Sequence, residues 1–228
     1  SLLDVGQGLT LLETQLHSLK ECGIKNIVMI IGYRADQIES KLQEYSSDFN
    51  FEIVYNPFFE SSNNLVSVWM ARHHFTDEFI TINGDDIFNA SIIRNLMKSH
   101  HPITMVTDIK THYDEDDMKI ISADGLVKRV SKKIPVDEAN GESVGIIKFS
   151  GSGPGIYYDM LESMVRKAEN MDVFYLKAIQ NIIDAGHKIH VSQCDPDDWG
   201  EIDFHPDLEM IRQYVSQTNL VERILEKP

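Results

Sequence analysis

Asn26-Ile27-Val28-Met29-Ile30-Ile31-Gly32 is a short, nearly continuous apolar run, and its reading decides the fold class. A strand buried on both faces reads this way, because neither face calls for polar side chains. Upstream, Leu11, Leu12, Gln15, Leu16 and Leu19 recur at helical spacing, and Gly23 supplies a stop. Downstream, 35–45 is amphipathic with Ile38 and Leu42 on one side, and 51–55 reads as a second strand. Segment 65–73 reads as a helix and 78–82 as a third strand. Strand, helix, strand, helix, strand with short connections predicts an α/β fold with right-handed crossovers and a mostly parallel central sheet.

The middle of the chain has another rhythm. A strand at 103–107 is followed by 118–122 and 126–130, which flank Ala123-Asp124-Gly125, a hairpin signal. These form a small antiparallel insert, and 144–149 is a further strand. Helices are expected at 154–169 and 173–185, with Gly186 ending the second, then a strand at 189–194. Asp207 is a plausible N-cap for a closing helix. With no repeat and no low-complexity linker, the expected organisation is one domain over 1–217 and a polar tail over 218–228.

The chain has 228 residues and 42% hydrophobic content, enough for a substantial core. Its 21 basic and 36 acidic side chains give a net charge of −15, which opposes nucleic acid and anionic membrane surfaces as partners. Cys22 and Cys194 offer neither a zinc spacing nor a disulfide framework, so the cytoplasm is the expected compartment. No apolar run approaches the ~20 residues of a membrane span, and no signal peptide is visible at Ser1. A homodimer is one possible assembly.

Two acidic stretches carry the chemistry. Gly84-Asp85-Asp86 follows the third strand, and Asp195-Pro196-Asp197-Asp198-Trp199-Gly200-Glu201-Ile202-Asp203 lies near the end. In open α/β sheets ligands bind at the carboxyl ends of strands, which suits Asp85 as a ligand of a divalent cation. Asp86 beside it is expected to point elsewhere, and Asn89 to cap the next helix. Glu201 and Asp203 are two apart, so an extended backbone turns both to one face and one ion. Asp195, Asp197 and Asp198 read as turn and surface residues.

Other candidates sit in loops. Ser62, Asn63 and Asn64 precede a helix, where free N–H groups and amides offer contacts to an anion or a base edge; the competing role is capping. Glu142 opens a strand after Lys132 and Lys133, and its competing role is surface charge. Asp172, Phe174 and Tyr175 open a helix, where aromatic faces near a carboxylate suit a quaternary ammonium group, or else serve as core and cap. The nine histidines show no metal-ligand spacing.

Taken in order, Leu11-Leu12-Glu13-Thr14-Gln15-Leu16, Cys22-Gly23-Ile24, Ile31-Gly32-Tyr33, Asn56-Pro57 through Asn64, Gly84-Asp85, Gly141-Glu142 with Gly145, and Glu201-Ile202-Asp203 resemble the nucleoside-triphosphate transferases that act on sugar phosphates. The resemblance is closest to the branch with choline-phosphate and phosphonate cytidylyltransferases, and it covers the chain to about Gln217. It implies a Rossmann-like three-layer nucleotidyltransferase fold. It implies CTP (or another nucleoside triphosphate) as one substrate and a small phosphate or phosphonate as acceptor. The acceptor attacks the α-phosphorus in line and pyrophosphate leaves, with Mg2+ neutralising charge. Asp85 matches the metal-binding Asp, and Glu201 and Asp203 the closing acidic pair. Asp85, Asp203 and Lys132 are the implied catalytic residues. Ser62, Asn63, Asn64 and Gly84 fall on the nucleotide side, and Glu142, Asp172 and Tyr175 on the acceptor side.

The family opens with a strand and a glycine-rich loop bearing an Arg, followed by Pro-Lys. Here Ser1-Leu2-Leu3-Asp4-Val5-Gly6 resembles the stretch just after that pair. On the order of 25 further residues are therefore expected before Ser1, and their strand would lie inside the sheet. Two alternatives are a sugar-1-phosphate nucleotidyltransferase using UTP, dTTP or GTP, and a non-catalytic nucleotide-binding module. A metal-dependent glycosyltransferase shares the α/β plan, and the closing Glu201-Ile202-Asp203 motif argues against it.

Overall fold

The computed structural model describes residues 2–6, 8–110 and 112–202. A short antiparallel pair, β1 (Asp4–Gly6) and β2 (Leu9–Thr10), precedes α1 (Leu11–Glu21). Then come β3 (Asn26–Ile31), α2 (Ala35–Gln43), β4 (Asn50–Tyr55), α3 (Asn64–Met70), β5 (Glu78–Ile82), β6 (Asp86–Phe88), α4 (Ala90–Met97) and β7 (Ile103–Asp108). The hairpin strands β8 (Lys119–Ala123) and β9 (Leu126–Val130) lead to β10 (Gly141–Ser150), α5 (Gly153–Val165) and α6 (Leu176–Asp184). The last described elements are β11 (Ile189–Gln193) and β12 (Trp199–Glu201). The closing helix expected from Asp207 and the tail 218–228 lie outside the described residues.

β3 and β4 pair in parallel, as the crossover through α2 predicts, but they form a sheet of their own. The main sheet has six strands in the order β5-β10-β7-β11-β9-β8. Its one parallel pairing among the described residues is β11 on β7; the other pairings are antiparallel. The α/β class stands, but the mostly parallel sheet read from element order does not. The cause is β10, ten residues long, which runs against both β5 and β7. Element order gives the connection between strands, and packing chooses the neighbour.

Strand alternation builds a layer on each side of this sheet. In β10, Val144 and Ile146 face one core with Leu12, Leu16 and Leu19 of α1 and Ile92, Ile93 and Leu96 of α4. Ile147 and Phe149, shifted by one residue, face a second core with Tyr157 and Leu161 of α5 and Ile179 and Ile182 of α6. The period of two along the strand thus produces helices on both faces and three layers. β3 was expected to be buried on both faces. Instead Ile27 and Met29 pack into the first core while Val28 is 38% exposed.

Local signals are obeyed. Asp124 and Gly125 have φ of 55° and 71°, the two left-handed residues a type I′ hairpin turn needs. Thr10 and Glu13 form a capping box on α1, and Asn89 caps α4 through Ser91 N. No described helix is long and apolar enough to cross a membrane.

Candidate functional site

The two acidic stretches meet as neighbouring strands. β12 runs antiparallel to β6 with Trp199 opposite Phe88, Gly200 opposite Ile87 and Glu201 opposite Asp86. Ile202 N continues the ladder, donating to the Asp85 carbonyl at 3.0 Å. Residues more than a hundred apart in sequence are placed side by side by backbone pairing. One carboxylate oxygen from each of Asp85, Asp86 and Glu201 lies within 4.8 Å of the other two. Asp85 is half-buried, Asp86 buried and Glu201 exposed. The expectation that Asp86 points away from Asp85 is corrected here. Alternation holds within a strand, but Asp85 ends a turn and Asp86 begins β6. Asp203 lies outside the described residues.

The turn at 83–86 is held from several sides. Gln15 of α1 donates through Nε2 to the carbonyls of Asn83 (2.9 Å) and Asp86 (2.7 Å), and Ser18 donates to Phe88 O at 2.7 Å. Both are buried. Sequence reasoning assigned them no role. Their signal was present: Gln15 recurs on an apolar helical stripe, and a buried amide must find partners. Gly145 of β10 sits behind the turn with φ of 75°; a Cβ there would lie 2.2 Å from Asn83 Nδ2 and 2.8 Å from Asp86 Oδ2. Tyr175, fully enclosed, donates its hydroxyl to Asn83 Oδ1 at 3.0 Å and lies 3.3 Å from Gly145 O. Burial raises its pKa well above the ordinary tyrosine value; Tyr157 and then Asp86, Asp85 and Glu201 add to the rise. Tyr175 thus reaches the acidic turn from inside the core.

The loop candidates gather along one seam. Asn63 N donates to Met171 O at 2.9 Å, and Asn64 Oδ1 accepts from Tyr175 N at 2.7 Å. Asn63 also approaches Asp172, with Nδ2 3.3 Å from Oδ1, and caps α3 by accepting from Asn64 N. Ser62 donates to Phe58 O. The structure therefore joins Asn63, Asn64, Asp172 and Tyr175, and connects them through Tyr175 to the end of β5. Lys132 stands at the end of this seam, its ammonium 5.2 Å from the centre of the exposed Phe174 ring. Gly84 lies in the acidic turn itself.

Glu142 belongs to a different cluster. It is opposite Asp108 in the β10–β7 ladder, and Lys110 Nζ is 2.6 Å from its Oε1 and 3.4 Å from Asp117 Oδ1. Burial pushes its pKa up to about 8 against the pull of Lys110. It is no surface charge. Asp198, expected at the surface, is also buried: its Oδ2 accepts from Ser91 Oγ at 2.7 Å and its carbonyl from Asn89 N.

Three convergent carboxylates are hard oxygen donors and suit Mg2+, Mn2+ or Ca2+ rather than a thiophilic metal. The residues present fit such an ion. Its position at the end of β5 would set a divalent charge beside the seam of amides.

No family model matches the chain. It is 30% identical over 130 residues to a choline-phosphate cytidylyltransferase of Haemophilus influenzae, covering 57% of this chain and 52% of that protein. It is 21% identical over 221 residues to the CTP:phosphoglutamine cytidylyltransferase of Campylobacter jejuni, covering 88% of this chain and 86% of that one. The alignment thus spans about half the length of the Haemophilus protein. The inositol-1-phosphate CTP transferase of T. maritima shares the fold, with a TM-score of 0.78 at 19% identity over 96% of this chain and 84% of that chain.

Proposed function

We propose that this chain, which belongs to the nucleotidyltransferase superfamily near its cytidylyltransferases, transfers CMP from CTP to a small phosphorylated acceptor and releases pyrophosphate, using Mg2+. The observation that carries this is the convergence of Asp85, Asp86 and Glu201 within 4.8 Å at the end of β5. Three carboxylate oxygens this close together offer a divalent cation a set of hard ligands. Bound there, Mg2+ would neutralise charge on the phosphates during in-line displacement.

The chain's own residues orient the reactants. Asp85, Asp86 and Glu201 hold the ion, and Asp203 joins them in this reading. The amides at 63 and 64, with Ser62 and Gly84, border the nucleotide. Lys132 faces the acceptor phosphate beside Phe174, where the aromatic ring and Asp172 suit a cationic acceptor group. Tyr175 acts from the interior by fixing Asn83, and Glu142, in its own cluster with Lys110, belongs to the acceptor side in this reading. Cys22 and Cys194 are free thiols, which agrees with a cytoplasmic setting.

Pyrophosphate release tests the proposal. CTP, UTP, dTTP and GTP are each paired with phosphocholine, phosphoglutamine, 2-aminoethylphosphonate and sugar 1-phosphates, with Mg2+ or a chelator. CTP with a small phosphate or phosphonate is expected to give the highest Mg2+-dependent rate. A higher rate with UTP, dTTP or GTP and a sugar 1-phosphate moves the chain to the neighbouring sugar-phosphate enzymes. No pyrophosphate from any pair overturns both.

A further inference from the structure

β6 and β12 are three residues each, too short to hold a register alone. Gln15 and Ser18 anchor the β6 side. The β12 side has a different anchor. The Trp199 ring is buried in the core shared with Phe88, Val106 and Val144, and its Nε1 donates to Asp108 Oδ2 at 3.0 Å. Asp108 ends β7 and is 2% exposed. Its Oδ1 has no hydrogen bond among the described residues, so the indole N–H is the hydrogen bond this buried carboxylate receives there. A bond from an N–H to a buried carboxylate is strong, and costly to lose. Trp199 and Glu201 are two apart in one strand, so they project on the same side. Any rotation of β12 that frees the indole also swings the Glu201 carboxylate.

We propose that Asp108 and Trp199 are positioning residues for the cation site: their bond ties β12 to the main sheet and so delivers Glu201 to Asp85 and Asp86. This rests on the reading of that trio as a divalent-metal site. Asp108 thereby acts on the metal without touching it.

Calorimetry of the full chain with Mn2+ alone separates the two ideas. Trp199→Phe removes the donor and keeps a ring, and Asp108→Leu removes the acceptor. Each is expected to weaken Mn2+ binding about tenfold or more. The double variant should bind no more weakly than either single one, because one bond is lost in all three. Asp108→Asn keeps an accepting oxygen and should restore binding close to the wild-type level. Wild-type binding with equal binding in the two disruptive variants overturns the positioning role and leaves the metal site standing. Failure of the wild type to bind Mn2+ removes the metal site, and the positioning role falls with it. A measurement without variants keeps the idea testable if those fail to fold. The chain has two tryptophans, and Trp69 bonds Glu162 instead. During Mg2+ titration of wild type, the Trp199 indole N–H resonance should move with occupancy while that of Trp69 stays. A Trp199 resonance unmoved at saturation overturns the coupling.

Discussion

Glu13 and the Asp85–Asp86–Glu201 trio are two ways of placing carboxylate beside the same helix. Glu13 is surrounded by donors of its own chain: Thr10 through backbone and hydroxyl, Lys41 Nζ at 3.2 Å and the Tyr45 hydroxyl at 3.0 Å. The trio is assembled by strand pairing. Backbone pairing of β6 with β12 sets three carboxylates within 4.8 Å of one another. The first arrangement spends charge on stability. The second gathers carboxylates at a strand end, where the proposed function has them hold a divalent cation. Removing a carboxylate should therefore cost stability at one place and binding at the other.

The sharpest break of that contrast is Glu201→Ala. Pyrophosphate release is expected to fall about 10²–10³-fold, the scale of losing one electrostatic contributor. The melting temperature without metal should change little, since Glu201 is exposed. Wild type should gain stability with Mg2+, by about 2.7 kcal/mol at a hundredfold excess over Kd, and the variant much less. Full activity with a lowered melting temperature would make the trio another Glu13.

Gly145→Ala attacks the trio sterically. A Cβ would meet Asn83 and Asp86 at 2.2–2.8 Å, and φ of 75° disfavours any side chain. Strain and overpacking together are expected to cost about 3 kcal/mol. Thermal unfolding measures that, and a parallel loss of Mn2+ affinity would show that the damage reaches Asp86. An unperturbed variant would mean the turn at 83–86 is free to move, against the fixed geometry argued for it.

Much of this contrast was legible in the sequence. Asp85 follows an apolar strand, Glu201 sits in a dense acidic run, and helix and strand periods located the longer described elements, though not the short strands β1, β2, β6 and β12. The partner of β5 was not legible, because β10 is chosen by packing across sixty residues. Asp86 was misread because the alternation rule was carried through a turn. Asp108 and Trp199 gave no signal, since a tryptophan and an aspartate ninety residues apart show nothing until β7 and β12 are placed. Asp203 remains the residue on which the sequence alone speaks.

Glu13 gives the pH test. Burial would raise its pKa, but bonds from Thr10, Lys41 and Tyr45 outweigh that and lower it from 4.5 to about 2. A depressed acid contributes stability above its unfolded pKa. That contribution is lost as pH falls from about 4.5 to about 2. Glu13→Gln is then expected to cost about 2 kcal/mol at pH 7 and almost nothing near pH 2. Urea unfolding at both pH values checks this. An equal gap at both would mean that shape rather than charge holds the capping box. Turnover at pH 7 should stay near wild type, unlike Glu201→Ala.

The smallest expected effect lies where the two regions touch. Gln15 is two residues from Glu13 on α1, yet its amide serves the other assembly by donating to the carbonyls of Asn83 and Asp86. Gln15→Leu keeps the volume and removes both bonds, leaving two carbonyls to find other donors. The stability loss should be about 1 kcal/mol, because a net hydrogen bond is modest and the half-buried turn admits water. The informative quantity is the ratio of two losses. If Gln15 only stabilises α1, Mn2+ affinity is unchanged while the melting temperature drops. If it holds the acidic turn, Mn2+ affinity falls by more than the stability change does. The geometry favours the second outcome, since both acceptors flank Asp85 and neither belongs to the helix.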